Sequence, residues 1–122
     1  MSNIDWSQLI TKEMKTAAAA AMVLAEAKGE LAGRNTVAAV QILRIQDRVD
    51  TLGYGIHSGE ATVEDEAEQA ALTISLKAWK DYKFALGKIA TQLTWPLVPN
   101  WPNVPVIPDI AAYPSALSPE TV

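Results

Sequence analysis

The chain has 122 residues, a formal net charge of −4 and no cysteine. This length fits one domain, and the lack of cysteine excludes a disulfide framework and a thiolate metal site. The negative charge disfavours a nucleic-acid or anionic-membrane partner, because both are bound by clustered Lys and Arg.

The first predicted helix begins near Trp6. Asp5 is a favourable N-cap, and Gln8 three residues later fits a variant of the capping box. Ile4 and Leu9 have the spacing of a hydrophobic staple. Alanine, the strongest helix former, dominates the residues that follow.

An apolar run within this helix, Ala17–Ala25, raises the question of a membrane segment. It is shorter than the roughly 20 residues that a membrane span requires. It also starts late for a signal peptide, and acidic residues lie on both sides of it. We therefore expect a soluble protein.

Apolar residues recur along the first helix at alternating steps of four and three residues, which is a heptad repeat. We call this series the seam; it consists of Ile10, Met14, Ala17, Ala21, Leu24, Lys28, Leu31, Asn35, Ala38, Ile42, Ile45, Val49 and Leu52. A seam predicts helices that pack at shallow angles, and its polar members Lys28 and Asn35 are typical of positions that set register or oligomeric state. One helix cannot bury a seam of this length alone, so a second helix or another copy of the chain is required.

Two glycines, Gly29 and Gly33, leave the length of the first helix open. Each costs a helix interior about 1 kcal/mol relative to alanine. The sequence therefore allows one helix over residues 6–52 or a break at residues 29–35. The unbroken phase of the seam favours the continuous helix.

A second helix is predicted over residues 63–93. Gly53 is a natural C-terminal stop for the first helix, and Thr62 with Asp65 forms a capping box for the second. The apolar face of this helix is predicted from Ala67, Ala71, Ile74, Ala78, Tyr82, Ala85, Ile89 and Leu93, with Leu72, Leu76, Trp79 and Leu86 beside it. Trp79 and Tyr82 are then core aromatics, and the helix folds antiparallel onto the first one.

The remaining residues, 94–122, are predicted to be an extended segment beyond a helical body of residues 1–93. Prolines recur every third residue from Pro96 to Pro108, and polyproline II has three residues per turn. We call one row of residues the apolar edge. It consists of the residues just before these prolines and those that continue the same phase: Trp95, Val98, Trp101, Val104, Ile107, Ile110 and Tyr113. The edge can be covered by the protein's own helices or by a partner, and the sequence leaves both open.

The predicted partner-binding residues combine this edge with neighbouring prolines: Trp95, Pro96, Val98, Pro99, Trp101, Pro102, Val104, Ile107 and Tyr113. No catalytic or metal-ligating pattern accompanies them. His57 is the only histidine, and the acidic run Glu64–Glu68 lacks the spacing of a calcium loop. We therefore expect neither an enzyme nor a cofactor.

Residues Leu76–Pro105 resemble the C-terminal part of bacteriophage tail fibre assembly proteins, also called tail fibre chaperones. The resemblance lies in an amphipathic helix with a Trp-x-x-Tyr step, followed by a short polar link and Trp-Pro with further prolines. The matching positions are Trp79, Lys80, Tyr82, Leu86, Trp95, Pro96 and Pro99. They cover about a quarter of the chain. The doubled W-P-x-V-P repeat and the alanine-rich N-terminal helix depart from the family pattern.

The resemblance implies a chaperone that binds a phage tail fibre, or receptor-binding protein, and assists its folding or trimerisation. Such a protein would act in the host bacterial cytoplasm and could remain on the fibre tip. The alternative is a structural coiled-coil component of the virion, without a chaperone role, that forms homo-oligomers through the seam.

Overall fold

A computed structural model of the chain describes residues 6–111, with side chains from residue 11 onward. Helix α1 spans Trp6–Ser58, α2 spans Val63–Leu86, and a short 3₁₀ helix follows at Ile89–Thr91. The helices α1 and α2 pack against each other as an antiparallel hairpin, and no strand occurs in the described range. The predicted all-helical hairpin is confirmed.

Helix α1 runs without a break through Gly29 and Gly33, as the phase of the seam predicted. At 1.5 Å per residue its 53 residues extend about 80 Å. A Cβ atom added at either glycine would meet nothing within 4 Å. Neither residue is therefore required by a close contact within the hairpin.

The substitutions Gly29→Ala and Gly33→Ala are each expected to raise the free energy of unfolding by about 0.5–1 kcal/mol, because alanine loses less backbone entropy in a helix. Urea denaturation followed by circular dichroism measures this gain. Gly59→Ala is the control. Gly59 has φ of 76°, which strains alanine, so this variant must lose stability. A loss at position 29 or 33 would contradict the continuous helix.

The end of α1 differs from the prediction. Gly53 does not stop the helix, which continues to Ser58 and ends before Gly59. Gly53 lies where α2 approaches, and an added Cβ would stand 3.4 Å from Nε2 of Gln69. A Cβ at this distance would make ordinary van der Waals contact, so Gly53 neither ends the helix nor is required by a close approach of Gln69.

The start of α2 follows the sequence closely. The Thr62 hydroxyl accepts a hydrogen bond from the Asp65 backbone N–H at 3.1 Å, and the Asp65 carboxylate accepts one from the Thr62 N–H at 2.9 Å. This confirms the capping box.

The predicted end of α2 at residue 93 was wrong. It ends at Leu86, and the Gly87 N–H donates to the Lys83 and Phe84 carbonyls.

The core lies between the C-terminal half of α1 and the whole of α2. The seam residues Ala38, Ile45 and Leu52 are buried there, in line with the prediction. The buried residues of α2 are Leu72, Leu76, Trp79, Tyr82 and Leu86. The seam residues Met14, Ala17 and Ala21 are exposed, because the 24 residues of α2 cover only part of α1.

The predicted centre of the α2 face was wrong. Ala67, Ala71, Ile74 and Ala78 point to solvent, and their neighbours Leu72, Leu76 and Trp79 face α1. Both series have helical spacing, so periodicity could not choose between them. The buried series carries more apolar area than a series made mostly of alanine, so it takes the core, and Ile74 is exposed with the alanines beside it.

Polar contacts join the helices along the hairpin. Arg48 donates to both carboxylate oxygens of Glu68, at 2.7 and 3.0 Å, and Lys83 donates to Asn35 at 3.2 Å. The hydrogen bond from Arg48 lowers the pKa of Glu68 below its ordinary 4.5 and outweighs burial, which raises it. The ion pair thus adds stability above that pH and loses it as pH falls through the lower pKa of the folded state. Asn35, a polar seam member, thus lies at the contact between the two helices.

Two polar side chains of α1, Gln41 and Arg44, are buried. Nη1 of Arg44 donates to Oε1 of Gln41 at 3.1 Å. Buried charged groups require such hydrogen bonds, because removal from water is otherwise costly.

Candidate functional site

The C-terminal segment begins with a tight turn after the 3₁₀ helix. Gln92 holds this turn closed: its Nε2 donates to the Asn100 carbonyl at 3.0 Å, and its Oε1 accepts from the Asn100 N–H at 2.8 Å. Within the turn, the Val98 N–H donates to the Thr94 carbonyl at 2.9 Å. Residues 95–97 therefore turn rather than extend, and the predicted extended run does not start at Trp95.

Arg34 of α1 anchors Trp101. Its guanidinium carbon stands 4.5 Å from the centroid of the Trp101 ring, within the range of a cation–π interaction. Arg34 also forms an ion pair with Glu30 at 2.8 Å and donates to the Tyr82 hydroxyl at 3.3 Å. One side chain thus joins α1, α2 and the C-terminal segment.

The environment of Arg34 favours its charged form. Burial lowers the pKa of the guanidinium, but hydrogen bonds with Tyr82 and Glu30 raise it by more, so the net shift is upward. The Arg34 guanidinium therefore stays positively charged over the indole face of Trp101.

The two tryptophans of the segment contact each other and lie against α1. The rings of Trp95 and Trp101 meet edge to face, with centroids 6.5 Å apart. Trp101, with Pro96 and Pro99, lines a depression whose other wall is formed by Val23, Glu26, Ala27 and Glu30 of α1. Both tryptophans are half-buried by their own protein.

After Trp101 the segment returns along the hairpin. Val104 lies near Tyr82 and Val37, and the indole N–H of Trp79 donates to the Val106 carbonyl at 3.1 Å. Ile110 is 1% exposed and belongs to the core cluster of the two helices. The segment is therefore packed on the helices over its described length.

Burial along the segment repeats every third residue, but the row that faces inward is not the predicted apolar edge. The half-buried row is that of Pro96, Pro99, Pro102, Pro105 and Pro108. The row Leu97, Asn100, Asn103, Val106 and Asp109 is exposed.

The predicted apolar edge is divided rather than continuous. Trp95, Trp101 and Ile110 are wholly or partly covered by the helices, whereas Val98, Val104 and Ile107 are exposed. The remaining edge residue, Tyr113, lies outside the described residues. The edge therefore does not present one continuous surface to a partner.

Five exposed aliphatic residues remain on the segment, and we call them the aliphatic ridge: Leu97, Val98, Val104, Val106 and Ile107. Their exposed fractions range from 43% to 84%. Residues 89–108 contain no charged side chain. The ridge is thus an apolar surface carried by a segment that the helices hold in place.

Sequence reasoning missed the anchors of this segment. Arg34, Gln92 and Asn100 fix its path, yet they occur in no motif, and Arg34 lies far from the segment in the chain. Only the pairing of Gln92 with Asn100 is local enough to have been guessed from a turn signal. The spacing of the sequence placed Ile110 on the apolar edge, but it did not predict that Ile110 is buried in the core.

Among the described side chains, no three His, Cys, Asp or Glu residues lie close enough together to hold a metal ion. His57 lies exposed in the last turn of α1. Trp79 and Tyr82 are buried and meet edge to face, with ring centroids 5.5 Å apart. In the described range neither helix is long and apolar enough to cross a membrane.

Comparison with known proteins gives no relative. No family model, no curated protein and no solved structure matches the chain.

Proposed function

We propose that this protein is an assembly chaperone that binds another protein through the aliphatic ridge. The observation that carries this is the exposure of five aliphatic side chains on a segment anchored by Trp101, Trp79 and Ile110. An apolar surface that is already ordered loses little entropy when it binds. Exposed apolar side chains held in place by the fold are also a feature of protein-binding sites.

The resemblance to phage tail fibre assembly proteins names the partner. It rests on Trp79, Tyr82, Leu86, Trp95 and Pro96, and no comparison adds to it. The proposed partner is accordingly a tail fibre, or receptor-binding protein, encoded by the same phage or prophage.

The proposed mechanism is masking. The ridge covers apolar surface on the unassembled fibre and leaves when the fibre trimerises, or stays at its tip. The extended backbone beyond residue 98 offers a second contact, because a peptide of this kind can cap an exposed strand edge of a β-rich fibre. The tryptophans pack between the segment and the helices, so in this proposal they hold the ridge in place and do not contact the partner.

Co-expression with the fibre tests this proposal. The fibre is expected to be soluble and trimeric with the wild-type protein, and to co-purify with it. The variant Val98→Asp/Val106→Asp should lose co-purification, because it places two charges in the ridge. The control Val63→Asp/Ile74→Asp changes two equally exposed residues of α2 and should bind normally.

Two outcomes would overturn the proposal. One is a fibre that is equally soluble and trimeric without this protein, with no complex. The other is a ridge variant that binds as well as the control.

A further inference from the structure

The N-terminal arm of α1 is the largest part of the described fold without a covering element. Every residue from 11 to 22 is exposed, while the seam from Leu31 to Leu52 packs against α2. Helices in proteins gain most of their stability from packing one face. Residues 11–22, which we call the arm, have by contrast nothing packed on them among the described residues.

The exposed face of the arm continues the covered one. Met14, Ala17, Ala21 and Leu24 keep the heptad phase of the seam that α2 covers further along α1. The exposed flanking positions are Ala18, Ala20 and Ala25, whereas the fourth, Ala27, is already buried beside the C-terminal segment. No charge lies on this face between residues 14 and 27, although Lys15 and Glu26 occur on the other side of the same turns.

We propose that the arms of two copies of this chain pair antiparallel through this face and form a two-fold dimer. In this register Met14 faces Leu24 of the second copy, and Ala17 faces Ala21. Each of the four seam residues then packs against a seam residue of the other copy. Both copies make the same contacts, as a closed two-fold interface requires. The dimer does not depend on the proposed chaperone role.

The antiparallel direction follows from where α2 ends. Its last turn stands at the level of Asn35, where Lys83 donates to the Asn35 side chain. A second arm running antiparallel to α1 begins near that level and continues in the direction of α2. The two together then cover the whole seam. If the arms were parallel, α1 of the second copy would continue along the seam beyond Asn35. It would then overlap with α2, which already lies there.

The C-terminal segment leaves this face open. Trp101, Pro96 and Pro99 approach α1 at Val23, Glu26, Ala27 and Glu30. Of the seam residues, only Leu24 is partly covered at this level, and Ala21 and Lys28 are exposed. The second arm can therefore lie beside the segment without displacing it.

Cysteine cross-linking tests the register, since the chain has no cysteine of its own. Met14→Cys and Leu24→Cys are purified separately and then mixed under mild oxidation. Disulfide-linked dimer is expected in the mixture and not in either variant alone. The control is Ala19→Cys, which lies on the opposite side of the arm and should not cross-link.

Each other outcome contradicts the proposal. Cross-linking of each single variant with itself would indicate parallel arms. A mixture that gives no more dimer than the Ala19→Cys control would indicate that the arms do not pair.

A second measurement addresses dimer strength. Ala21→Glu should weaken dimerisation roughly tenfold relative to Ala19→Glu in light scattering over a range of concentrations, because only the former buries a carboxylate. Equal dimerisation of the two variants would overturn the proposal. Fibre binding by Ala21→Glu, or its loss in the ridge variant, reports on the chaperone role separately.

Discussion

Trp79→Ala is expected to lower the free energy of unfolding by about 3–5 kcal/mol, the usual cost of removing a buried aromatic ring. The Trp79 side chain is fully buried between α1, α2 and the C-terminal segment. Its loss also removes the edge-to-face contact with Tyr82 and the hydrogen bond to the Val106 carbonyl. Urea denaturation monitored by circular dichroism measures the change.

Two controls separate the contributions of the Trp79 ring. Trp79→Phe keeps most of the apolar volume and loses the N–H donor, so a smaller loss, with about 1 kcal/mol from the hydrogen bond, is expected. Phe84→Ala removes an aromatic ring that is 69% exposed and should change stability by less than about 0.5 kcal/mol. A Trp79→Ala variant as stable as Phe84→Ala would show that the described core is wrong.

Ile110→Ala is expected to cost about 2–5 kcal/mol and to release the C-terminal segment from the helices. Ile110 is the one residue of residues 94–111 that is fully buried, and it lies in the same core cluster as Trp79 and Leu86. Its truncation leaves a cavity where the segment meets the hairpin. Denaturation measures the loss, and limited proteolysis of residues 99–111 measures the release.

The matched control for Ile110→Ala is Val106→Ala, since Val106 is 84% exposed on the same segment. It should leave both stability and proteolysis nearly unchanged. If Ile110→Ala unfolds at the same urea concentration as Val106→Ala and resists protease equally, the segment is not anchored through Ile110.

Local sequence signals predicted the helices and some of their ends. The Thr62–Asp65 capping box needs only residues within one turn, and its geometry is as expected. The phase of the seam correctly predicted a continuous α1, because a break at Gly29 would have shifted it. The prediction that Gly53 ends α1 was wrong, since glycine lowers helix stability without necessarily ending a helix, and α1 continues to Ser58.

The site was less predictable than the fold. The sequence shows a period of three in the proline segment, but it could not tell which of the three rows faces the helices. The proline row faces inward because Trp101 is held by Arg34, 67 positions earlier in the chain, and Val106 by Trp79. Contacts between residues so far apart produce no repeating pattern in the sequence, so periodicity cannot predict them.

The sequence by itself determined local features: the heptad seam, the capping box of α2, the uncharged proline segment and its period of three. Each of these depends on the steric and hydrogen-bonding preferences of residues within one or two turns. Only the tertiary structure decided which half of the seam α2 covers, which face of α2 is buried, and which side chains remain on the aliphatic ridge. These depend on how Arg34, Trp79, Trp101 and Ile110 pack together, and burial is a property of that whole arrangement.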